Sequence, residues 1–173
     1  PDSANQDLMT SGGASSEPID AVGMGALIIE LAGPTGTGIM IGGAPADGMV
    51  DINVTPVPGN NVPMPLLDGD GDPLDAGSYV TVQPPNAEFD TSGLTFGQEG
   101  LPQGLDITFP NERGFPPGTL VDVWSFDHDA GAWVNRSTQT GQQGVVSGDG
   151  SVIEADGVIL KGGWHAPVLP IDT

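Results

Sequence analysis

The sequence predicts an all-β protein, an antiparallel β-sandwich with an extended N-terminal segment. Apolar and polar residues alternate along several short runs, which is the period of a strand with one buried face. Glycine and proline, 28 and 17 of the 173 residues, fall between those runs, where their backbone preferences favour turns. We find no apolar pattern with the length and period of an ordinary helix, so the turn spacing favours a sandwich or barrel.

The densest β pattern lies between residues 105 and 133. Ile107 occupies an alternating apolar and polar run that predicts one strand. A second strand is expected over residues 120–126, and a third begins at Ala132. The loop between them has hairpin length and carries Gly131 late, as a bulged turn requires. This region therefore predicts consecutive antiparallel strands.

Other runs predict the rest of the sheet and its core. Further strands are expected at 25–32, 36–43, 49–57, 79–83, 144–147, 151–154, 158–161 and 166–169. The alternation places a set of side chains inside: Ile52, Val54, Val80, Val82, Ile107, Phe109, Val123 and Trp124.

Residues 1–20 differ in composition from the rest of the chain. They are small and polar, which is typical of a tail or linker. We interpret 1–20 as an extended tail or donor segment and 21–173 as a single β-sandwich domain. Such a segment orders when a sheet holds it, and its few apolar groups favour the sheet of a neighbouring copy over its own. The apolar run that follows supplies three candidate assembly residues, Leu27, Ile29 and Leu31.

The charge is strongly acidic, with 23 acids, mostly aspartate, against 3 basic residues and a net charge of −20. Phosphate contacts need a basic face, so nucleic acid is excluded as a partner. Anionic membranes would repel the chain, and no apolar run is long enough to insert. The chain has no cysteine, which excludes disulfides and suits an exported protein.

Short motifs from about residue 50 to residue 165 resemble those of ZU5-like modules in large bacterial secreted and surface proteins. The matching pieces, in order, are VPMP at 62–65, VTVQP at 80–84, Phe89, ITFPN at 107–111, GFPPG at 114–118, VWSFDHD at 123–129, DG at 149–150 and GGWH at 162–165. The resemblance implies a β-sandwich with a non-enzymatic, architectural role, and it implies no substrate.

An acidic loop is the best candidate for a metal site. Carboxylates recur at alternate positions in DGDGDPLD, from residue 68 to residue 75, and calcium takes six to eight oxygen ligands. The alternative is a solvated acidic turn; the loop lacks the EF-hand pattern. The predicted calcium ligands are Asp68, Asp70, Asp72 and Asp75, with Asp127 and Asp129 as a weaker second set.

Three tryptophans offer an alternative function. Trp124 lies on a predicted central strand and is expected in the core. Trp133 and Trp164 are candidates for a sugar-binding platform, because carbohydrate-binding and adhesion modules are also acidic secreted β-sandwiches. Glycan binding therefore stays open as an alternative.

Catalytic patterns are weak in this sequence. His128 and His165 lack the spacing of a zinc site, and the glycines of 33–38 lack the Lys-Ser/Thr of a phosphate loop. Some ZU5-type domains cleave themselves at a His-Phe-Ser tripeptide, but here His128 precedes Asp129 and His165 precedes Ala166. Autoproteolysis is therefore disfavoured.

These observations together predict a non-enzymatic structural and assembly module, extracellular or on the cell surface. It would be a self-associating subunit of a surface filament, or a unit beside neighbouring domains of a larger surface protein. Strand exchange would link the copies, and calcium would stabilise them.

Overall fold

The computed structural model describes residues 4–24, 28–57, 66–67, 70–71, 79–92, 94, 101–111, 113–127 and 130–169. These residues form β-strands and one short helix. The strands are β1 (Ala4–Ser11), β2 (Ala14–Ser15), β3 (Ile19–Met24), β4 (Ile28–Gly33), β5 (Gly38–Ile41), β6 (Ala44–Pro45), β7 (Gly48–Val57), β8 (Tyr79–Gln83), β9 (Ala87–Asp90), β10 (Leu105–Pro110), β11 (Leu120–Asp127), β12 (Ala132–Asn135), β13 (Gly144–Val146), β14 (Val152–Ile159) and β15 (Gly163–Val168). The helix, α1, is Arg136–Thr140.

The strands form one continuous, mostly antiparallel sheet. Its order is β3-β4-β10-β14-β13-β11-β15-β8-β7-β1-β2-β5-β6, with β12 beside β11 and β9 beside β5. Strand β11 joins the two halves of this sheet, which run from β3 to β13 and from β15 to β6. Its residues Leu120 and Val121 pair with β13, while residues 122–125 pair with β15. The prediction of an all-β protein is confirmed.

The sheet curls so that its two ends approach each other around the core. At one place the Gln6 side chain on β1 accepts a hydrogen bond from the Asp20 N–H at 2.7 Å and donates to the Pro18 carbonyl at 3.0 Å. At another, the Phe89 N–H on β9 donates to the Leu160 carbonyl at 2.8 Å. These contacts turn one face of the sheet inward.

The inward face carries the main core. Buried residues alternate along the strands, as the period-2 pattern predicts. The largest of its fully buried side chains are Leu8, Ile19, Ile29, Leu31, Ile39, Ile52, Leu105, Ile107, Phe109, Ile153 and Ile159. Val123 belongs to this core. Trp124, expected beside it, is only half-buried and packs on the opposite face, because successive residues of a strand face opposite sides.

Strand β14 is longer than predicted. Residues 151–154 and 158–161 were expected as two strands, but Val152–Ile159 is a single strand with an irregularity at Gly157. Gly157 has φ +70°, and its N–H donates to Asp106 Oδ1 at 2.8 Å. A positive-φ glycine is what a bulge of this kind uses. The bulge breaks the alternation that the sequence pattern relies on.

The N-terminal segment forms part of the sheet. Strand β1 pairs with β7 at every position from Ala4 to Thr10, and the side chain of Leu8 is fully buried. A turn at Gly12 and Gly13, with φ of 61° and 87°, leads from β1 into β2.

Candidate functional site

The side chain at the centre of the site is Asp127, the last residue of β11. Its Oδ2 accepts from Arg136 Nη2 at 3.0 Å and from Lys161 Nζ at 3.2 Å. Its Oδ1 accepts from the Ala130 N–H at 3.2 Å. The whole chain has 3 basic residues, and two of them contact this single carboxylate. We call Asp127, Arg136, Lys161 and Glu88 the charged cluster.

Helix α1 positions Arg136 at its first residue. The helix begins after Asn135, whose side chain accepts from the Thr138 N–H at 3.0 Å, as an N-cap does. The Arg136 side chain is 3% exposed. Its Nε donates to Ser125 Oγ at 2.9 Å and its Nη1 to Gln139 Oε1 at 2.8 Å. The buried cation is therefore fixed in direction by hydrogen bonds on three sides.

The electrostatics of this pair follow from burial and proximity. Burial alone would raise the pKa of Asp127, but the Ala130 N–H, Arg136 and Lys161 outweigh it and lower that pKa to about 2. Burial lowers the pKa of Arg136, and the neighbouring carboxylate opposes the shift. Asp127 is thus an anion already neutralised by protein cations, which leaves it poorly suited to bind a metal.

His165 lies beside this cluster on β15, opposite Ser125 on β11. It is fully buried, and neither ring nitrogen has a hydrogen-bond partner within the described parts of the chain. Burial first, and the charge of Arg136 second, lower its pKa to about 3, while the Lys161 backbone acts in the opposite direction. The imidazole is therefore neutral at physiological pH and sealed from solvent.

A cleft of about 510 Å³ opens beside the charged cluster. The turn at Gly42 and Gly43 lines it, together with Asn86, Glu88 and Lys161 among others. The Lys161 ammonium contacts Asp127 on the buried side and lies 4.0 Å from Glu88 Oε1 on the open side. One edge of the charged cluster therefore faces solvent through this cleft.

A second, aromatic cluster lies on the opposite face of the sheet from the main core. Its members are Leu66, Trp133, Ala166 and Val168, which are buried, and Tyr79, Trp124, Phe126 and Trp164, which are half-buried. The Trp133 ring meets those of Phe126 and Tyr79 edge to face, with centroids 5.9 and 6.2 Å apart. These contacts are typical of packing, and each adds about 0.5–1.5 kcal/mol.

The structure describes only two of the predicted calcium ligands, Asp70 and Asp127. Asp68, Asp72, Asp75 and Asp129 lie outside the described residues. Asp70 is exposed, and Asp127 is held by its two cations. Within the described residues, no group of three or more His, Cys, Asp or Glu side chains could hold a metal ion.

The other candidate residues occupy different environments. Trp133 is buried inside the aromatic cluster, whereas Trp164 is half-buried at its edge. Of the assembly residues, Ile29 and Leu31 are fully buried in the main core, and Leu27 lies outside the described residues. Ile29 and Leu31 thus pack inside this chain and do not form an exposed edge.

Three residues of the charged cluster were not identified from the sequence: Glu88, Arg136 and Lys161. A signal was available, because a basic residue is rare in a chain with 23 acids and each one is therefore a candidate for a specific partner. Sequence spacing could not show which acid each one meets.

Comparison with known proteins gives no relative: no family model, no curated sequence and no solved structure matches this chain. Among the described residues, no helix is long and apolar enough to cross a membrane.

Proposed function

We propose that this chain is a non-enzymatic, extracellular structural module that self-associates, as a ZU5-like β-sandwich unit of a bacterial surface filament or large surface protein. The observation that supports this most is the position of β1. It is a complete strand, and the turn at Gly12 and Gly13 leads from it into β2.

Strand β1 has the properties of an exchangeable element. It pairs with β7 from Ala4 to Thr10 and buries Leu8 in the main core. A neighbouring copy carries the same strand and can make the same contacts with β7, which is domain swapping or strand addition. If each copy donates its strand to the next one, the contact does not close, and a filament results.

A pair of like charges makes β1 easier to release from its own sheet. Asp7 on β1 lies directly opposite Asp51 on β7. The hydrogen bond and the charge repulsion between these carboxyls raise the pKa of Asp51. Like charges directly across two strands destabilise the pairing. The protein therefore keeps a core-forming strand in a pairing that is weakened on its outer side.

The arrangement of the strands supports the sandwich part of the proposal. Strand β3 lies next to β1, and β4 lies next to β7, so the curled sheet encloses the main core between its two halves. With the ZU5-like motifs, this favours a structural role, although a fold by itself does not determine function.

We expect the chain of residues 1–173 to form oligomers whose size rises with protein concentration, and a chain lacking residues 1–11 to be monomeric. Sedimentation velocity and negative-stain electron microscopy measure this. Because removal of Leu8 leaves the main core incomplete, a peptide of residues 1–11 should restore the melting temperature of the truncated chain. A peptide of the same composition in scrambled order is the control. A full-length chain that stays monomeric at every concentration contradicts the proposal.

Calcium is the proposed cofactor of this assembly, bound through the acidic loop of residues 68–75. Calcium that binds only the folded state should raise the free energy of unfolding by about 2.7 kcal/mol at a hundredfold excess over Kd. Melting curves with calcium and then with chelator test this in the wild type and in Asp70→Ala. The gain should be large in the wild type and reduced in the variant. Superimposable curves under all conditions would remove calcium from the proposal.

A further inference from the structure

We infer that the cleft beside the charged cluster binds a neutral saccharide, at a site separate from Trp133 and Trp164. The inference rests on the size of the cleft, on the balance of charge in it and on the kinds of groups that line it. It does not depend on the assembly of the protein.

The cleft has the size and shape of a small-ligand site. Its volume of about 510 Å³ lies within the range of about 300–1,000 Å³ that is usual for such sites. Two turns wall it, one at Gly42 and Gly43 and the other containing Asn86, whose carbonyl accepts from the Gly42 N–H at 3.1 Å. This backbone bond ties the two walls together, so the cleft is already formed without a ligand.

A glycine turn forms one wall of the cleft. Gly42 and Gly43 have φ of 60° and 83°, a conformation that glycine adopts without strain. Asn86 is exposed, and within the described part of the chain its amide makes no side-chain hydrogen bond. The amide therefore keeps both a donor and an acceptor for a ligand.

The charge balance favours an uncharged ligand. The charged cluster has two cations, Arg136 and Lys161, and two anions, Asp127 and Glu88, so its formal charge is zero. Lys161 already contacts both carboxylates, so it is not an unpaired cation awaiting an acid. The net charge of −20 on the chain also opposes the approach of an anionic ligand.

The groups that line the cleft can make both polar and apolar contacts with a sugar ring. Glu88 is 46% exposed and accepts hydrogen bonds, Lys161 is 27% exposed and donates them, and Asn86 does both. A hydroxyl can hydrogen-bond to each of them, because it is itself a donor and an acceptor. Phe126 is the aromatic residue among those that line the cleft, and an aromatic ring can pack against the carbon–hydrogen face of a sugar.

Titration of ¹⁵N-labelled full-length protein with single glycosides tests this directly. The neutral probes are the methyl glycosides of glucose, galactose, mannose and N-acetylglucosamine, and the charged probe is methyl glucuronide. At least one neutral probe should shift the backbone amides of Gly42, Gly43 and Gly162 in a saturable way. For a ligand of this size we expect a Kd of roughly 0.1–10 mM.

Substitutions then assign the binding to the cleft. Asn86→Ala and Glu88→Gln change exposed side chains, so their melting temperatures should stay near that of the wild type, while the Kd rises about tenfold or more, equivalent to the loss of one ligand hydrogen bond. Glu154→Gln, an exposed glutamate outside the cleft, is the matched control and should leave the Kd unchanged.

Three results would overturn the inference: no neutral probe shifts these amides, methyl glucuronide binds as tightly as the best neutral glycoside, or both cleft variants bind like the wild type. None of these results depends on the oligomeric state. A protein that stays monomeric but binds a neutral glycoside would support this inference while contradicting the proposed assembly.

Discussion

Replacing Arg136 with methionine should lower the free energy of unfolding by about 3–5 kcal/mol, because it leaves the Asp127 carboxylate largely buried with one of its two cations removed. The same change removes hydrogen bonds to Ser125 and Gln139. Lys161 remains and supplies part of the compensation, so we expect the lower end of that range. Urea unfolding followed by tryptophan fluorescence measures the change.

The other arginine of the chain provides a matched control. Arg113 is exposed, and Arg113→Met should change the free energy of unfolding by no more than about 1 kcal/mol, the usual limit for an exposed ion pair. The double variant Asp127→Leu/Arg136→Met should be more stable than Arg136→Met alone, because it removes the buried charge together with its partner. Equal, small effects for the two single arginine variants would contradict the assignment of a stabilising buried ion pair.

Acidification from pH 6.5 to pH 3 should destabilise the protein by as much as about 4–5 kcal/mol through His165 alone. The pKa of His165 is about 3 in the folded chain and 6.5 as a model value. Between these values the unfolded state binds a proton that the folded state does not, so stability is lost as the pH falls. Asp127, with its pKa of about 2, adds a separate loss only below its ordinary value of 3.8.

The measurement is a series of urea unfolding curves between pH 7 and pH 3 for the wild type and for His165→Leu. Leucine has a similar volume and no titratable group, so the variant should show a much shallower dependence on pH in this window. The free energy of unfolding of His165→Leu at pH 7 shows whether leucine packs well in the space of the imidazole. If the wild type and His165→Leu lose stability in parallel, His165 does not carry the effect.

The alternation of apolar residues was enough to predict most of the sheet. The run predicted at 79–83 corresponds to β8, and the run at 49–57 differs from β7 by a single residue. Each of these strands has one buried face, so apolar and polar residues alternate along it, and the sequence of the strand alone is enough to predict it. Nothing comparable marks β1, whose sequence ANQDLMTS has few apolar residues; its pairing depends on β7, about forty residues away.

The charged cluster shows a different limit of sequence reasoning. Asp127 was identified as a candidate because it lies in an acidic turn, but the predicted partner was calcium. The side chains that contact it in the structure are separated from it by 9 residues for Arg136 and 34 residues for Lys161. Asp127 lies on β11, Arg136 on α1 and Lys161 just before β15. The three side chains meet only because tertiary packing places these segments next to one another.

A disulfide between β1 and β7 tests the proposed strand exchange most directly. The chain has no cysteine, and Met9 lies opposite Met49 on an exposed face. Directly opposed strand residues have Cα separations of about 4.5–5.5 Å, which suits a disulfide. Met9→Cys chains refolded together with Met49→Cys chains should give disulfide-linked dimers on a non-reducing denaturing gel, and the double variant should give a ladder. Met9→Cys mixed with Met40→Cys, also exposed but not opposed, should give neither product above background. A double variant that yields only monomers cross-linked within one chain would contradict strand exchange between copies.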